Sequence, residues 1–192
     1  MAQQLKMMRN LDEIPEVYTP EGFYVRNFRE GEEDVWVEIC KHGLASESAG
    51  RGFWEGSMLV IPTLVPERDV FFICTEDGTP VATFAGYIME NGIANMHMVA
   101  ALESARGHGL GKTVVTHILA AMKKQMPGKG RLMGLRTDDW RIPAVVGYLK
   151  GGFHPVLYDE GMQERWQAVC DNVNIHGVEM WDENGNPTGI IL

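Results

Sequence analysis

Residues 98–113 hold the densest run of residues able to bind a ligand, with Gly107, Gly109 and Gly111 alternating with other residues. The apolar residues before the glycines predict a strand, and those after them predict a helix, so the glycines form a loop at a helix start. Backbone N–H groups at a helix start favour negative charge, and glycine leaves them uncovered by side chains. The run therefore predicts a binding site for an anion such as a phosphate.

Two common phosphate-binding loops are disfavoured by the spacing. A Walker-type loop of nucleoside triphosphatases has a glycine five residues before its Gly-Lys-Thr, and here that position is Arg106. The dinucleotide fingerprint has the spacing GxGxxG and opens a βαβ unit, whereas this loop reads GxGxG in the middle of the chain. The spacing argues against nucleotide hydrolysis and against dinucleotide binding.

A third loop fits, because Arg106, Gly109 and Gly111 follow the RxxGxG pattern. This pattern resembles the pyrophosphate loop of the acyl-CoA-dependent N-acetyltransferases, the GNAT superfamily. A glycine-rich turn without a ligand is the alternative that this motif alone leaves open.

Segment 135–153 resembles the second signature of that superfamily, in which a strand leads to a helix ending in Tyr, a short spacer and Gly-Phe. Tyr148, Gly152 and Phe153 have that spacing. Arg141 departs from the pattern, because the family usually has Asn there, and this implies a changed contact with the pantetheine arm. With Arg165-Trp166 in the following helix, the segment is similar to the mycothiol-synthase-like branch.

The resemblance implies a co-substrate and roles for individual residues. Acetyl-CoA is the implied acetyl donor, with no metal. A bulge in the strand before the loop is implied to free backbone amides for pantetheine and for the developing oxyanion. Tyr148 is the implied general acid for the leaving thiolate, with a tyrosine packed in the core as its structural alternative. The implied cofactor-binding residues are Val99, Ala100, Ala101, Arg106, Gly107, His108, Gly109, Leu110, Gly111, Lys112, Arg141 and Lys150.

A general base is useful, because an amine with a pKa of about 10.4 is almost fully protonated at pH 7. His97, one step before the expected bulge, titrates in the right range and is the candidate base, although a lone histidine on a strand is often structural. Glu90 and Asp139 are alternative carboxylates. Trp54 and Glu55 are expected to contribute to the acceptor pocket.

The order of apolar patterns predicts an α/β fold with a mixed sheet flanked by helices. The resemblance implies the fold of the GNAT superfamily, a single, mostly antiparallel sheet in which strands four and five splay apart to hold CoA. We expect strands near 23–28, 70–74, 81–88, 93–101, 132–137 and 153–158, and helices near 32–44, 53–59, 110–126, 141–150 and 163–173. The predicted organisation is an irregular lead-in at 1–21, the acetyltransferase domain at 22–175 and a β-hairpin extension at 176–192.

The formal net charge of −9 argues against binding nucleic acid through bulk charge. Segment 95–154 nevertheless carries +6 and the remainder −15. We interpret this as a basic region for an anionic cofactor and an acidic body that favours a cationic acceptor. The sequence has no stretch that predicts a signal peptide or a membrane span, so a cytoplasmic protein is expected.

The resemblance implies an N-acetyltransferase that moves an acetyl group from acetyl-CoA to a primary amine by direct attack in a ternary complex. The acceptor is expected to be a small-molecule amine or a protein amino terminus, and the protein a monomer or homodimer. The alternative is a non-catalytic CoA- or acyl-CoA-binding regulatory domain of the same fold. Arg141 supports this alternative, because it stands where the family usually has Asn.

Overall fold

A computed structural model describes residues 3–192 and places nine strands and six helices in that range. The strands are β1 (Leu5–Asn10), β2 (Phe23–Asn27), β3 (Val70–Thr75), β4 (Pro80–Ile88), β5 (Ala94–Ala101), β6 (Leu132–Thr137), β7 (His154–Pro155), β8 (Val178–Trp181) and β9 (Pro187–Ile191). The helices are α1 (Glu33–Cys40), α2 (Arg51–Trp54), α3 (Pro66–Asp69), α4 (Leu110–Gln125), α5 (Ile142–Lys150) and α6 (Met162–Val173). A π-helical turn, Glu55–Leu59, continues α2, and a 3-10 turn, Glu103–Ala105, precedes α4.

Seven of the described strands form one sheet in the order β2-β3-β4-β5-β6-β1-β7. All neighbouring strands are antiparallel except β5 and β6, which are parallel. The prediction of a mixed, mostly antiparallel sheet flanked by helices is confirmed. Strands β8 and β9 form a separate hairpin, which a single parallel bridge between Val156 and Trp181 connects to the chain after β7.

Strand β1 corrects the expectation that residues 1–21 are an irregular lead-in. Leu5–Asn10 lies between β6 and β7 and pairs with both. The side chains of Leu5, Met7 and Met8 are fully buried, so this segment is part of the core. The prolines that suggested irregular structure follow the strand and leave its hydrogen bonding intact. The expected strand at 153–158 is also too long, since only His154–Pro155 is paired in the sheet.

Helices cover the two faces of the sheet separately. One face packs against α4, α5 and α6, and the other packs against α1 and α2 through Trp36, Trp54 and Met58. On α4 the predicted apolar face is buried and lies over β4, close to Gly86. A Cβ at Gly86 would lie 3.0 Å from Cγ1 of Ile118, so glycine is what allows this close approach.

Candidate active site

Strands β5 and β6 separate shortly after they meet. Their ladder consists of two pairs, Ala94 with Met133 and Asn95 with Gly134. Beyond these pairs β5 stays with β4, and β6 stays with β1. The gap opens into a cavity of about 490 Å³, lined by Gln4, Leu44, Tyr87, Met89, Asn95, Met96, His97, Met98, Val99, Leu135, Arg136, Thr137, Asp138, Arg141, Ala144 and Tyr148.

A β-bulge lies on the cavity side of β5. Ala85 of β4 pairs with His97 and Thr83 pairs with Ala100, so β5 holds one residue more than β4 over this stretch. Met98, within the bulge, has a φ of 50°, a left-handed conformation that is uncommon outside glycine. Val99 lines the cavity, whereas Ala100 and Ala101 pair with β4 and are not among its lining residues.

The glycine-rich loop presents bare backbone to its surroundings. A Cβ built at Gly107, Gly109 or Gly111 would meet no atom within 4 Å. Gly109, with a φ of 76°, is the N-cap of α4 and has no side chain to bond the first N–H groups of the helix. These N–H groups are therefore suited to an external anion.

The cationic side chains of the loop are exposed rather than fixed in a core. Arg106 lies 3.5 Å from Glu103 in an ion pair whose two side chains are both more than half exposed. The Lys112 ammonium lies 4.3 Å from the ring centre of Tyr18, and the ring centre of His108 lies 5.5 Å from that of Phe23. None of the described cavity-lining residues comes from this loop. The loop therefore lies outside the cavity, and it follows β5, the strand that lines the cavity, in the chain.

Tyr148 projects from α5 into the cavity. Its side chain is 8% exposed and packs edge-on against Phe153, with ring centres 6.0 Å apart. Burial raises the pKa of the Tyr148 phenol to about 12, and the charge of Arg141 only partly offsets this. The phenol is therefore protonated at neutral pH.

His97 lines the cavity from β5. Its Nε2 atom lies 3.0 Å from the carbonyl oxygen of Ser57, which can only accept a hydrogen bond. Nε2 therefore carries the proton in the neutral ring, and Nδ1 carries the lone pair. Burial lowers the pKa of His97, with the Ser57 hydrogen bond acting in the opposite direction, so the ring is neutral at pH 7. The ring of Tyr87 stands edge-on beside it.

Arg141, the departure from the family pattern, is engaged by protein groups. Its Nε donates to Asp138 at 2.9 Å, and its Nη2 donates to the carbonyl of Gly43, also at 2.9 Å. The guanidinium carbon lies 4.2 Å from the ring centre of Trp140. Arg141 thereby links the start of α5 to the loop after α1 at the cavity. Lys150, at the exposed end of α5, is not among the lining residues.

Several residues expected at the acceptor side lie elsewhere. Asp139 is paired with Arg165, and Glu90 lies in the exposed turn after β4. Trp54 is 3% exposed and stacks on Phe28 in the core. Glu55 is exposed on the adjoining turn and does not line the cavity.

Other lining residues were not predicted as site residues, namely Gln4, Leu44, Tyr87, Met89, Asn95, Met96, Met98, Leu135, Arg136, Thr137, Asp138 and Ala144. Two signals were available for three of them. Asn95 lies two positions before the candidate base on the same strand, so alternation places both on one face. Thr137 and Asp138 are polar residues at the end of a buried strand, where functional residues often lie.

A model described as the acetyltransferase (GNAT) family matches residues 53–153, a little more than half of the chain. The match includes both the bulged strand and the glycine-rich loop. This chain belongs to the GNAT family. No curated protein matches the sequence of this GNAT chain.

Solved structures show the same fold at low identity. A GCN5-related N-acetyltransferase from Sphaerobacter thermophilus is 19% identical, with a TM-score of 0.64 over 80% of this chain and 48% of that one. One from Kribbella flavida is 21% identical, with a TM-score of 0.55 over 81% and 55%. A tandem GNAT protein from the clavulanic acid biosynthesis pathway is 16% identical, with a TM-score of 0.58 over 81% and 51%. This GNAT chain thus spans about half the length of these structures.

Among residues 3–192, no three His, Cys, Asp or Glu side chains come together in an arrangement that could hold a metal ion. Within the same described range, no helix is both long and apolar enough to cross a membrane.

Proposed function

We propose that this chain is an N-acetyltransferase that moves an acetyl group from acetyl-CoA to a primary amine, by direct attack while both substrates are bound. The gap between β5 and β6 is the observation that carries this proposal. Tyr148 reaches the cavity from the face covered by α4–α6, and His97 reaches it from the face covered by α1 and α2. A proton donor and a proton acceptor therefore line one cavity, as transfer to an amine requires.

The loop residues fit the diphosphate of CoA. The open space at Gly107, Gly109 and Gly111 leaves the first N–H groups of α4 available to an anion, with Arg106 and Lys112 as nearby cations. The remaining residues implied to bind CoA are His108, Leu110, Arg141 and Lys150, together with Val99, Ala100 and Ala101 of β5. When bound, acetyl-CoA supplies an activated acetyl thioester.

The bulge supports a further role for the backbone of β5. Between Asn95 and the loop, the edge of β5 that faces β6 has no strand partner among the described residues. An N–H group of Met98 or Val99 on this edge would donate to the thioester carbonyl oxygen, where negative charge develops. Backbone dipoles fixed in place by the sheet need no reorganisation during the reaction.

Two side chains complete the proton transfers. The amine nitrogen forms a bond to the acetyl carbon as the carbon–sulfur bond breaks. Nδ1 of His97 accepts the proton lost by the amine, directly or through a water molecule. The Tyr148 phenol, held protonated by the raised pKa, gives its proton to the departing thiolate sulfur.

A non-catalytic acyl-CoA-binding regulatory domain is the second candidate. Arg141 favours it, because a guanidinium engaged with Asp138 and Gly43 occupies the position of the family's usual Asn. The experiment that separates the two candidates combines the protein, acetyl-CoA and a broad panel of primary amines, and follows free thiol. Amine-dependent thiol release supports the enzyme, whereas acetyl-CoA binding without release across the panel supports the regulatory domain.

The Tyr148→Phe variant tests the assignment of the acid. We expect kcat to fall about 100-fold or more, because general acid–base groups contribute roughly 10²–10⁴ to the rate. The dissociation constant of acetyl-CoA, measured by calorimetry, is expected to stay nearly unchanged. The control is Tyr24→Phe, which removes the same atom from an exposed ring outside the cavity. Unchanged turnover in Tyr148→Phe would dismiss the role.

The similarity of segment 135–153 to the mycothiol-synthase-like branch also stays a prediction. The helix residues that contributed to it have structural contacts here, since Trp166 is fully buried and Arg165 pairs with Asp139. We keep 22–175 as the proposed extent of the acetyltransferase domain, with β1 added to its sheet, and 176–192 as its hairpin extension.

A further inference from the structure

Arg136, an exposed residue of β6, is one of the residues that line the cavity. Its side chain stands next to that of Lys6 across the ladder between β6 and β1. The guanidinium carbon lies 5.4 Å from the ring centre of Tyr158, whose hydroxyl donates to the carbonyl of Gln4. Stacking on a ring that is itself anchored holds an arginine in a narrow range of orientations.

The charge near Arg136 is not balanced by the protein. Lys6 is paired with Glu183 at 2.8 Å. In the described part of the chain, no carboxylate lies within ion-pair distance of Arg136, while Asp138 is the single carboxylate among the cavity-lining residues. Asp138 already accepts from Arg141 at 2.9 Å and from Gln4 at 3.1 Å. The cavity therefore has one unmatched positive charge, located at Arg136.

The unmatched positive charge in the cavity disfavours the cationic acceptors that the net charge of −15 outside residues 95–154 suggested. A polyamine in the cavity would bring ammonium groups close to Arg136 and Arg141, and the one nearby carboxylate is already neutralised. An acceptor with one amine and one negative group would instead compensate the free charge. The planar fork of a guanidinium matches a carboxylate with two parallel hydrogen bonds.

We infer that the acetyl acceptor is a small amino-carboxylate, of the amino-acid class, whose carboxylate binds Arg136 while its amine faces His97. The inference rests on the proposed function and narrows it. In this arrangement His97 is neutral and presents a lone pair to the amine, and Arg136 fixes the opposite end of the acceptor. Arg136 is then the residue that determines acceptor specificity.

The test compares three forms of each acceptor: the free amino acid, its amide and its decarboxylated amine, for alanine, leucine and phenylalanine. Thiol release gives kcat/KM for each. We expect the wild-type protein to prefer the acid over the amide by about 10- to 100-fold, as expected for a charge-assisted pair. The amide's amine is the less basic, so any bias from amine ionisation opposes the expected preference.

The Arg136→Gln variant should lose this preference, because kcat/KM should fall by about 10- to 100-fold for the acids and by much less for the amides. Arg131→Gln is the control, because Arg131 is also exposed and precedes β6 but does not line the cavity. Thermal shift by each N-acetyl amino acid with CoA gives a readout that does not depend on turnover, and Arg136→Gln should abolish it.

The outcomes separate this inference from the proposed function. Thiol release that is equal for acids, amides and amines overturns the amino-carboxylate inference alone. The same holds if Arg136→Gln slows acids and amides to the same extent. Thiol release with other primary amines but with none of these nine compounds also overturns the inference alone. Absence of release from the nine compounds and from the broad amine panel, with acetyl-CoA still bound, overturns the proposed function and this inference with it.

Discussion

The hydrogen bond between His97 and the Ser57 carbonyl joins the bulged strand to the π-helical turn that follows α2. It decides which ring nitrogen is available, because a carbonyl cannot donate. Burial then keeps the ring neutral by lowering the pKa of His97. The tautomer of the candidate base thus depends on a turn that sequence patterns describe poorly, and its charge depends on burial.

The pH dependence of kcat/KM tests this arrangement. As pH falls, amine protonation alone lowers log kcat/KM with a steady slope. Once the pH falls through the lowered pKa of His97, protonation of the ring removes the base as well, so the slope steepens at a pH lower than the ordinary histidine value of 6.5. His97→Gln should be slower and lack the steepening. His117→Gln is the control, because the pKa of His117 is also lowered but this residue lies outside the cavity.

Single residues also show how far sequence predicts a site. Tyr148 and His97 were predicted, and both line the cavity. Asn95, Thr137 and Asp138 were not. Alternation and position at a strand end marked them as polar candidates, but whether they face the cavity depends on where β6 leaves β5. That separation arises from pairing between segments almost forty residues apart, and neither segment alone encodes it.

At the scale of elements, the start of α4 is defined by a glycine in the left-handed region. Gly109→Ala should cost about 1 kcal/mol of stability, since an L-residue is strained there. It should also weaken CoA binding by about two- to fivefold, because the methyl group crowds the N–H groups of the helix start.

Gly161→Ala provides a matched control for that variant. Gly161 is the N-cap of α6, with a φ of 78° against 76° at Gly109, and a Cβ at either position meets nothing within 4 Å. Urea denaturation should show similar losses of stability, while calorimetry should show weaker CoA binding only for Gly109→Ala. Equal CoA affinities in the two variants would contradict a binding role for the loop.

The close contact between α4 and β4 predicts that a side chain at Gly86 would reduce the stability of the protein. Gly86→Ala should destabilise the protein by about 1–3 kcal/mol, because the added methyl overlaps the Ile118 side chain. Combining it with Ile118→Val removes the Cδ1 atom and should recover part of that loss. The interaction energy from a double-mutant cycle in urea measures the contact. Strict additivity of the two changes would show that the clash does not occur.

Strand β1 explains why part of the fold was missed. Its sequence, Leu-Lys-Met-Met-Arg-Asn, lacks the β-branched and aromatic residues that mark strands. Its burial comes from two partners more than 120 residues away, and its charged residues bond outward, Arg9 to carbonyl groups including that of Gly151. The strands from β2 to β6 were predicted because their own apolar patterns are strong.

At the scale of the whole molecule, the hairpin of β8 and β9 is tied into the main body by Trp181. Its ring stacks on His154 with centres 4.2 Å apart, and its Nε1 donates to Glu179. Ile191 and Met180 of the hairpin belong to the main core. We therefore expect the hairpin and the sheet to unfold together.

Trp181→Ala should cost about 3–5 kcal/mol, as expected for loss of a large buried ring. Because the hairpin shares the core, urea unfolding of wild type followed by circular dichroism and by tryptophan fluorescence should give coincident transitions. A separate early transition in wild type would show instead that the hairpin unfolds independently. Ile190→Ala, at a residue that is 58% exposed on the same hairpin, is the control and should have little effect.

The distribution of charge along the chain did not predict the charge of the cavity. The remainder outside 95–154 carries −15, yet the described cavity lining has a single carboxylate, Asp138, which belongs to the basic segment. The net charge of a segment does not show which surface its charged side chains face. The alternation of side chains along strands and the faces of helices determine which charged groups come close together. The acidic side chains that were expected at the acceptor face lie on other surfaces.

The position of β1 between β6 and β7 has a consequence for synthesis on the ribosome. Residues 5–10 emerge early, but both partner strands lie at 132–155. At about 5–20 residues per second, the strand waits roughly 7–30 s before it can pair. Gln4 joins the cavity only after that pairing. Until both partner strands have been synthesised, β1 is therefore an unpaired segment whose Leu5, Met7 and Met8 side chains are open to chaperone binding, and the cavity is incomplete.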